Sequence, residues 1–264
     1  MERKGRGTVI YITGDCHGEF NKLSSSSFPE QRQMTKKDTL IICGDFGGVW
    51  DTDPDSSCEA YWLRWLDEKP FTTVFVDGNH ENFDRLNNEF PVVFFCGGKA
   101  HRIRDSIFHL MRGEIYEIEG KKFFVFGGAK SHDIRDGILS RKDFGTDDQF
   151  KAAVRKWKRQ KKQFRIEHET WWQEELPNDE EIKHAKANLA AAGYRVDHVI
   201  THCAPQSIAE KMYNAPACPD KLTDFFDELL PGLEFRYWFF GHYHEDRKIN
   251  NKFILLYDQI IRIG

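Results

Sequence analysis

Five times along the chain a short run of Val, Ile, Leu, Phe and Thr stops at a polar corner. The runs with their corners are "TVIYITGDCHG" (8–18), "DTLIICGDFGG" (38–48), "TTVFVDGNHE" (72–81), "VDHVITHCAP" (196–205) and "FRYWFFGHYHE" (235–245). Continuous apolar runs of this length suit strands buried on both faces, and segments between them carry helical spacing, as in "SCEAYWLRWLDEK" (57–69). A second group, "VVFF" (92–95), "IFHLM" (107–111), "EIYEIEGKKFFVFGG" (114–128) and "KFILLY" (252–257), has hairpin character, with "EGKK" as one turn. The pattern predicts an α/β chain, two sheets packed face to face and flanked by helices, with the polar corners gathered at one edge where such folds place ligands. Residues 131–194 differ: they are polar, charge-rich and mostly helical in pattern, and read as an insertion within a single domain spanning 1–264.

Composition narrows this picture. The chain has 264 residues, 40% hydrophobic and 30% charged, with a formal net charge of -4. That balance fits one globular domain with a full core and gives no global reason to expect nucleic acid or an anionic membrane as partner. No apolar stretch approaches the roughly 18 residues of a membrane helix, and the run after the basic start "MERKGRG" is too short for a signal-peptide core. The six cysteines form no CxxC pair, so they read as reduced thiols of a cytoplasmic protein.

The corners supply Asp15, His17, Asp45, Asn79, His80, His202, His242 and His244. Carboxylate, amide oxygen and imidazole form the mixed set that Mn, Fe, Co, Ni and Zn accept, and the absence of cysteine argues against a closed structural zinc. In an extended segment Asp15 and His17 point to one side, as do His242 and His244, so each pair can pinch one ion. The other six histidines, His101, His109, His132, His168, His184 and His198, read as surface or core residues, His132 being nearest the expected site.

In this order, "GDCHG", "GDFGG", "GNHE", "THCAP" and "GHYH" resemble the motifs of the calcineurin-like metallophosphoesterases, a four-layer αββα family of two-metal phosphoester hydrolases. "GNHENFDRLN" and "WWQEELP" resemble a bacterial and phage branch of it. The resemblance implies that Asp15, His17 and His244 hold a first divalent ion, that Asn79, His202 and His242 hold a second, and that Asp45 bridges them. It implies manganese first, with Fe, Zn, Ni, Co or Mg as other occupants, in-line attack of a bridging hydroxide on phosphorus, and His80 as general acid. "GDFGGVW" departs from the phosphoprotein phosphatases, having Gly48 and Val49 where they carry an orienting Asp and a phosphate-gripping Arg. A missing guanidinium shifts the expectation toward a phosphodiester, a nucleotide or another, because a diester carries one charge less than a monoester. Asp51, Asp53 and Asp77 are open as the orienting carboxylate, Arg135 and Arg141 as the arginine.

Two rivals stand beside this reading. "KAAVRKWKRQKKQFR" (151–165), with eight basic residues and two aromatics, would serve a nuclease on the same metal centre. Val154, Trp157, Phe164 and Trp171 fall close to one helical stripe, however, which makes packing the favoured use of the aromatics and nucleic acid the less favoured partner. A non-catalytic scaffold with a vestigial site is the other rival. Trp171, Trp172, Glu174 and Glu175 are expected to anchor the insertion beside the cleft, and oligomeric state is open.

Overall fold

The computed structural model describes residues 7–53, 56–215 and 218–263. The basic start, residues 1–6, lies outside them. In chain order the strands are β1 (Ile10–Thr13), β2 (Thr39–Ile42), β3 (Thr72–Phe75), β4 (Val92–Phe95), β5 (Gly98–Arg104), β6 (Ile107–Leu110), β7 (Ile115–Ile118), β8 (Lys121–Phe126), β9 (Gly137–Leu139), β10 (Phe164–Ile166), β11 (His198–Thr201), β12 (Tyr237–Phe240), β13 (Arg247–Lys248), β14 (Phe253–Leu255) and β15 (Ile261–Ile263). The helices are α1 (Ser57–Asp67), α2 (Phe83–Asn88), α3 (Asp147–Arg159), α4 (Asp179–Ala191), α5 (Gln206–Tyr213) and α6 (Lys221–Leu229).

One sheet runs β15-β1-β2-β3-β6-β5-β4 and the other β13-β14-β12-β11-β8-β7. In the first, β1, β2, β3 and β6 are parallel; in the second, β8, β11, β12 and β14 are. Alternation of side chains along a strand explains why both faces of each run are apolar. Ile10, Ile12, Ile41, Val74, Phe123, Val125, Ile200 and Phe239 meet between the sheets. Tyr11, Leu40, Ile42 and Phe75 turn outward onto Leu63 and Leu66 of α1. Phe124, Phe126, Val199, Trp238 and Phe240 turn the other way, onto Leu189 of α4, Ile208 of α5 and Phe226 of α6. The result is the expected four-layer αββα sandwich with mixed sheets. Each phenylalanine so buried contributes about 1.5–3 kcal/mol.

The hairpin expectation holds for "EGKK", which joins antiparallel β7 and β8. It holds for the others as well, since β4 and β6 each pair antiparallel with β5 and β14 with β13, while β6 and β14 also join the parallel strands on their other side. β5, which the apolar pattern does not pick out, pairs with both β4 and β6. Its Lys99 and Arg102 point to solvent and hide the strand's periodicity.

Within residues 131–194, β9 and β10 form a parallel ribbon that packs with α3 around Leu139, Phe150 and Ile166. α4 lies on the second sheet through Ala185 and Leu189. The helical stripe expected through Phe164 and Trp171 is corrected: α3 ends at Arg159, and Phe164 belongs to β10. Among the described residues no helix is long and apolar enough to cross a membrane.

Candidate metal centre and the cleft around it

The five corners leave the C-terminal ends of β1, β2, β3, β11 and β12 at one edge of the two sheets. His17, Asp45, His242 and His244 all have positive φ, 49°, 44°, 72° and 53°. Each costs roughly 1–2 kcal/mol relative to an ordinary backbone, so the surrounding structure must over-determine them. Hydrogen bonds to main-chain carbonyls do this at the first two corners. Cys16 and His17 N–H both donate to the Asp45 carbonyl at 2.9 and 2.8 Å, and Lys22 Nζ donates to the Gly14, Asp15 and Tyr257 carbonyls at 3.0, 2.6 and 2.6 Å. Two glycines are required by close approach: a Cβ on Gly78 would overlap the Asp45 carboxylate, and one on Gly241 that of Asp15.

The side chains converge. His17 Nε2 and His244 Nε2 stand 3.0 Å apart, and Asp15 Oδ2 lies 3.6 and 3.3 Å from them. Asp45 Oδ2 is 3.6 Å from His17 Nδ1, and Asp45 Oδ1 is 3.2 Å from His202 Nε2. His202 Nδ1 donates to the Cys43 carbonyl at 2.8 Å, which turns Nε2 into the cleft. The rings of His202 and His242 pack at 4.9 Å, and Asn79 lines the same cavity. Backbone N–H groups complete the carboxylates: His242 donates to Asp15 Oδ1 at 2.9 Å and His80 to Asp45 Oδ1 at 2.8 Å.

The electrostatics ask for a cation. Burial alone would raise Asp15 and Asp45, but the facing His202 and the hydrogen bonds around them hold both well below the usual carboxylate range. Burial alone would depress His202, yet Asp45 and Asp15 push it up to about 10, so with no ion between them Nε2 holds a proton that a bound divalent cation would displace. Asn79 Oδ1 and His202 Nε2 are buried with no hydrogen-bond partner among the described residues. Oxygen and nitrogen atoms left orphaned beside two carboxylates fit a divalent ion of the borderline class.

His80 stands at the rim. Its ring contacts His17 at 4.9 Å and Trp50 at 5.4 Å. Burial lowers it to about 4 against the nearby Asp45 charge, with Arg165, His17 and His202 adding to the fall. Two of the three carboxylates considered for orienting it are engaged or placed elsewhere. Asp77 is bound by His109 at 3.1 Å and by Arg112 Nε at 2.8 Å, and Asp51 lines a groove of about 380 Å³ beyond His17 with Glu59 and Trp62. Arg135 is exposed, and Arg141 is paired with Asp147 and Glu169.

Sequence reasoning missed three groups here. Arg165, from β10, donates from Nη2 to His80 Nε2 at 3.2 Å and lines a cavity of about 200 Å³ with Asp45, Asn79, His132, Asp133, His242 and His244. The missing-guanidinium argument is therefore corrected, since a guanidinium reaches the cleft from another segment. Glu81 accepts from Phe46 and Gly47 N–H at 2.7 and 3.4 Å and fixes the loop that carries Asp45. Asp84 holds the insertion, accepting from Trp172 Nε1 at 2.8 Å and pairing with His168 Nδ1 at 2.9 Å. Of the expected anchors, Trp171 Nε1 donates to Glu175 Oε1 at 2.8 Å, and Glu175 also takes Ser131 N–H and Oγ–H at 3.0 and 2.6 Å. Only the proximity of "GNHE" to Glu81 and Asp84 in the chain could have suggested those two.

Comparison with known proteins matches residues 8–246 to the calcineurin-like phosphoesterases. Lariat debranching enzyme A of Xenopus laevis is 30% identical over 152 residues, 52% of this chain and 27% of that protein. The lariat debranching enzymes of Danio rerio and Homo sapiens are each 30% identical over 142 residues, 48% of this chain and 23% and 24% of theirs. The matched stretch thus spans about a quarter of those relatives. With the family match running from the first strand past the last of the five corners, this chain belongs to the calcineurin-like phosphoesterase family.

Proposed function

We propose that this chain is a metal-dependent phosphoester hydrolase acting on phosphodiesters. In this reading Asp15, His17 and His244 hold one divalent ion, Asn79, His202 and His242 a second, and Asp45 both, with manganese as the first candidate. Ions bound there would clamp the phosphate and make an attacking water available near neutral pH. The observation that carries the reading is a pair of buried atoms without a hydrogen-bond partner among the described residues, Asn79 Oδ1 and His202 Nε2, the second of them 3.2 Å from Asp45 Oδ1.

The chain's own groups do the rest. Asp15 and Asp45 are kept ionised and aimed by the His242 and His80 N–H groups. His80 serves the leaving oxygen. At rest its Nε2 accepts from Arg165, and burial first, with Arg165 adding to it, keeps its proton affinity low; an anionic phosphate beside the ring would raise that affinity and favour the protonated form it needs as acid. Preference for a diester is supported by the relatives' name rather than by a missing arginine: a phosphoesterase that opens a branch cuts a phosphate carrying two substituents.

The test is hydrolysis of bis(p-nitrophenyl) phosphate and p-nitrophenyl phosphate by manganese-loaded protein. Diester turnover should vanish with chelator, return with manganese and fall at least about 100-fold in Asp45→Asn. Turnover that survives chelation, or an Asp45→Asn variant with wild-type rate, removes the proposal.

A further inference from the structure

Arg165 enters the cleft from β10, on a segment that carries none of the five corners. Its residue is only 9% exposed, and it lines the same cavity as Asp45, Asn79, His80, His242 and His244. A guanidinium has five N–H donors in one plane and stays charged throughout the working pH range. Three donors are committed: Nε to Asp133 Oδ1 at 2.6 Å, Nη1 to the Thr170 carbonyl at 2.9 Å and Nη2 to His80 Nε2 at 3.2 Å. One N–H on each terminal nitrogen is left over. The fork is thus held on three sides by groups from three parts of the chain. Few arrangements fix a long side chain better, and fixing it in advance removes most of the entropy it would lose on gripping an anion.

We propose that Arg165 is the phosphate-gripping residue of this cleft, donating its free N–H groups to the non-bridging oxygens of the substrate, while its contact with His80 Nε2 in the resting state places that ring beside the phosphate before His80 is protonated. The assignment rests on the hydrolase reading above and adds to it a residue outside the family motifs. Asp133 offsets part of the guanidinium charge, a balance suited to a singly charged diester phosphate more than to a dianionic monoester. Because the grip comes from the ribbon of residues 131–194, that segment supplies part of the substrate site.

The experiment compares wild type, Arg165→Gln, Arg165→Lys and Arg141→Gln, all loaded with manganese. Three quantities are read: manganese per chain by elemental analysis, inorganic phosphate affinity by calorimetry, and KM and kcat for bis(p-nitrophenyl) phosphate. Arg165→Gln should bind phosphate about tenfold or more weakly and raise KM by a similar factor with manganese content unchanged. Arg165→Lys, which keeps charge and stem but loses the fork, should lie between, and its melting temperature in chelator verifies that it folds. Arg141→Gln, on the exposed face, should stay within about twofold of wild type. Normal manganese uptake with unchanged phosphate affinity and KM in Arg165→Gln and Arg165→Lys overturns the assignment alone. Wild-type protein that takes up no metal and cleaves no phosphoester overturns the hydrolase reading and the assignment with it.

Discussion

His202 Nδ1 donates to the Cys43 carbonyl at 2.8 Å, and that single bond decides which nitrogen of the ring faces Asp45. A backbone carbonyl only accepts, so Nδ1 carries a proton whatever the state of the ring, and Nε2 is the nitrogen presented to Asp45 or to an ion in its place. The bond ties the end of β2 to the end of β11, and therefore couples the two sheets at the point where the candidate ligands converge.

Replacing His202 by Gln should abolish this convergence without unfolding the chain. Manganese affinity, followed by calorimetry, is expected to fall at least about 100-fold. Wild-type protein should melt higher with manganese than with chelator, by about 2.7 kcal/mol of added stability at 100 times the dissociation constant. His202→Gln should show no such gain.

Arg112 and Asp77 form a buried pair behind the centre, with Arg112 also donating to the Glu174 carbonyl at 2.8 Å. Arg112→Met leaves a carboxylate buried beside His109 alone, which typically costs about 3–5 kcal/mol. Urea unfolding should show the midpoint fall accordingly, and Asp77→Asn in the same chain should recover part of it. Equal midpoints for wild type and Arg112→Met would sink this account.

His198 predicts an acid limit on stability. It is buried between the sheets against Phe123, Tyr237 and Phe239, and neither ring nitrogen has a partner among the described residues. Burial, helped by Lys121 and Arg236 against Asp197, lowers it from 6.5 to about 4. Between those values the unfolded chain binds the extra proton, so stability is complete above pH 6.5 and declines as pH falls toward 4, by roughly 3 kcal/mol from this group. His198→Phe should flatten that decline in a melting-temperature profile, leaving the part that belongs to His101, which burial also lowers to about 4.

The basic run of the third helix should be dispensable for phosphoester cleavage. Trp157 packs against Phe164 at 5.2 Å and is covered by Lys162 at 4.2 Å, so its ring is not free to stack on a base. Neutralising Lys158, Arg159, Lys161 and Lys162 together should leave aryl diester turnover unchanged and produce no loss of oligonucleotide retention at low salt. A large loss of retention would restore the nuclease reading.

The sequence by itself determined the strands that carry the centre and the residues standing at their ends. That information is local: an apolar run of four or five residues fixes an extended, doubly buried segment, and the glycines beside Asp15, Asp45, Asn79 and His242 mark where it must turn. Tertiary structure alone decided that Arg165 reaches His80 from 85 residues away, that Asp77 serves His109 and Arg112, and that Phe164 pairs in a ribbon instead of continuing a helix. Those facts depend on how separate loops pack across the edge of two sheets. A charged side chain reads the same in a one-dimensional pattern whether it faces solvent or a buried cleft, because its burial is set by neighbours that the pattern does not contain.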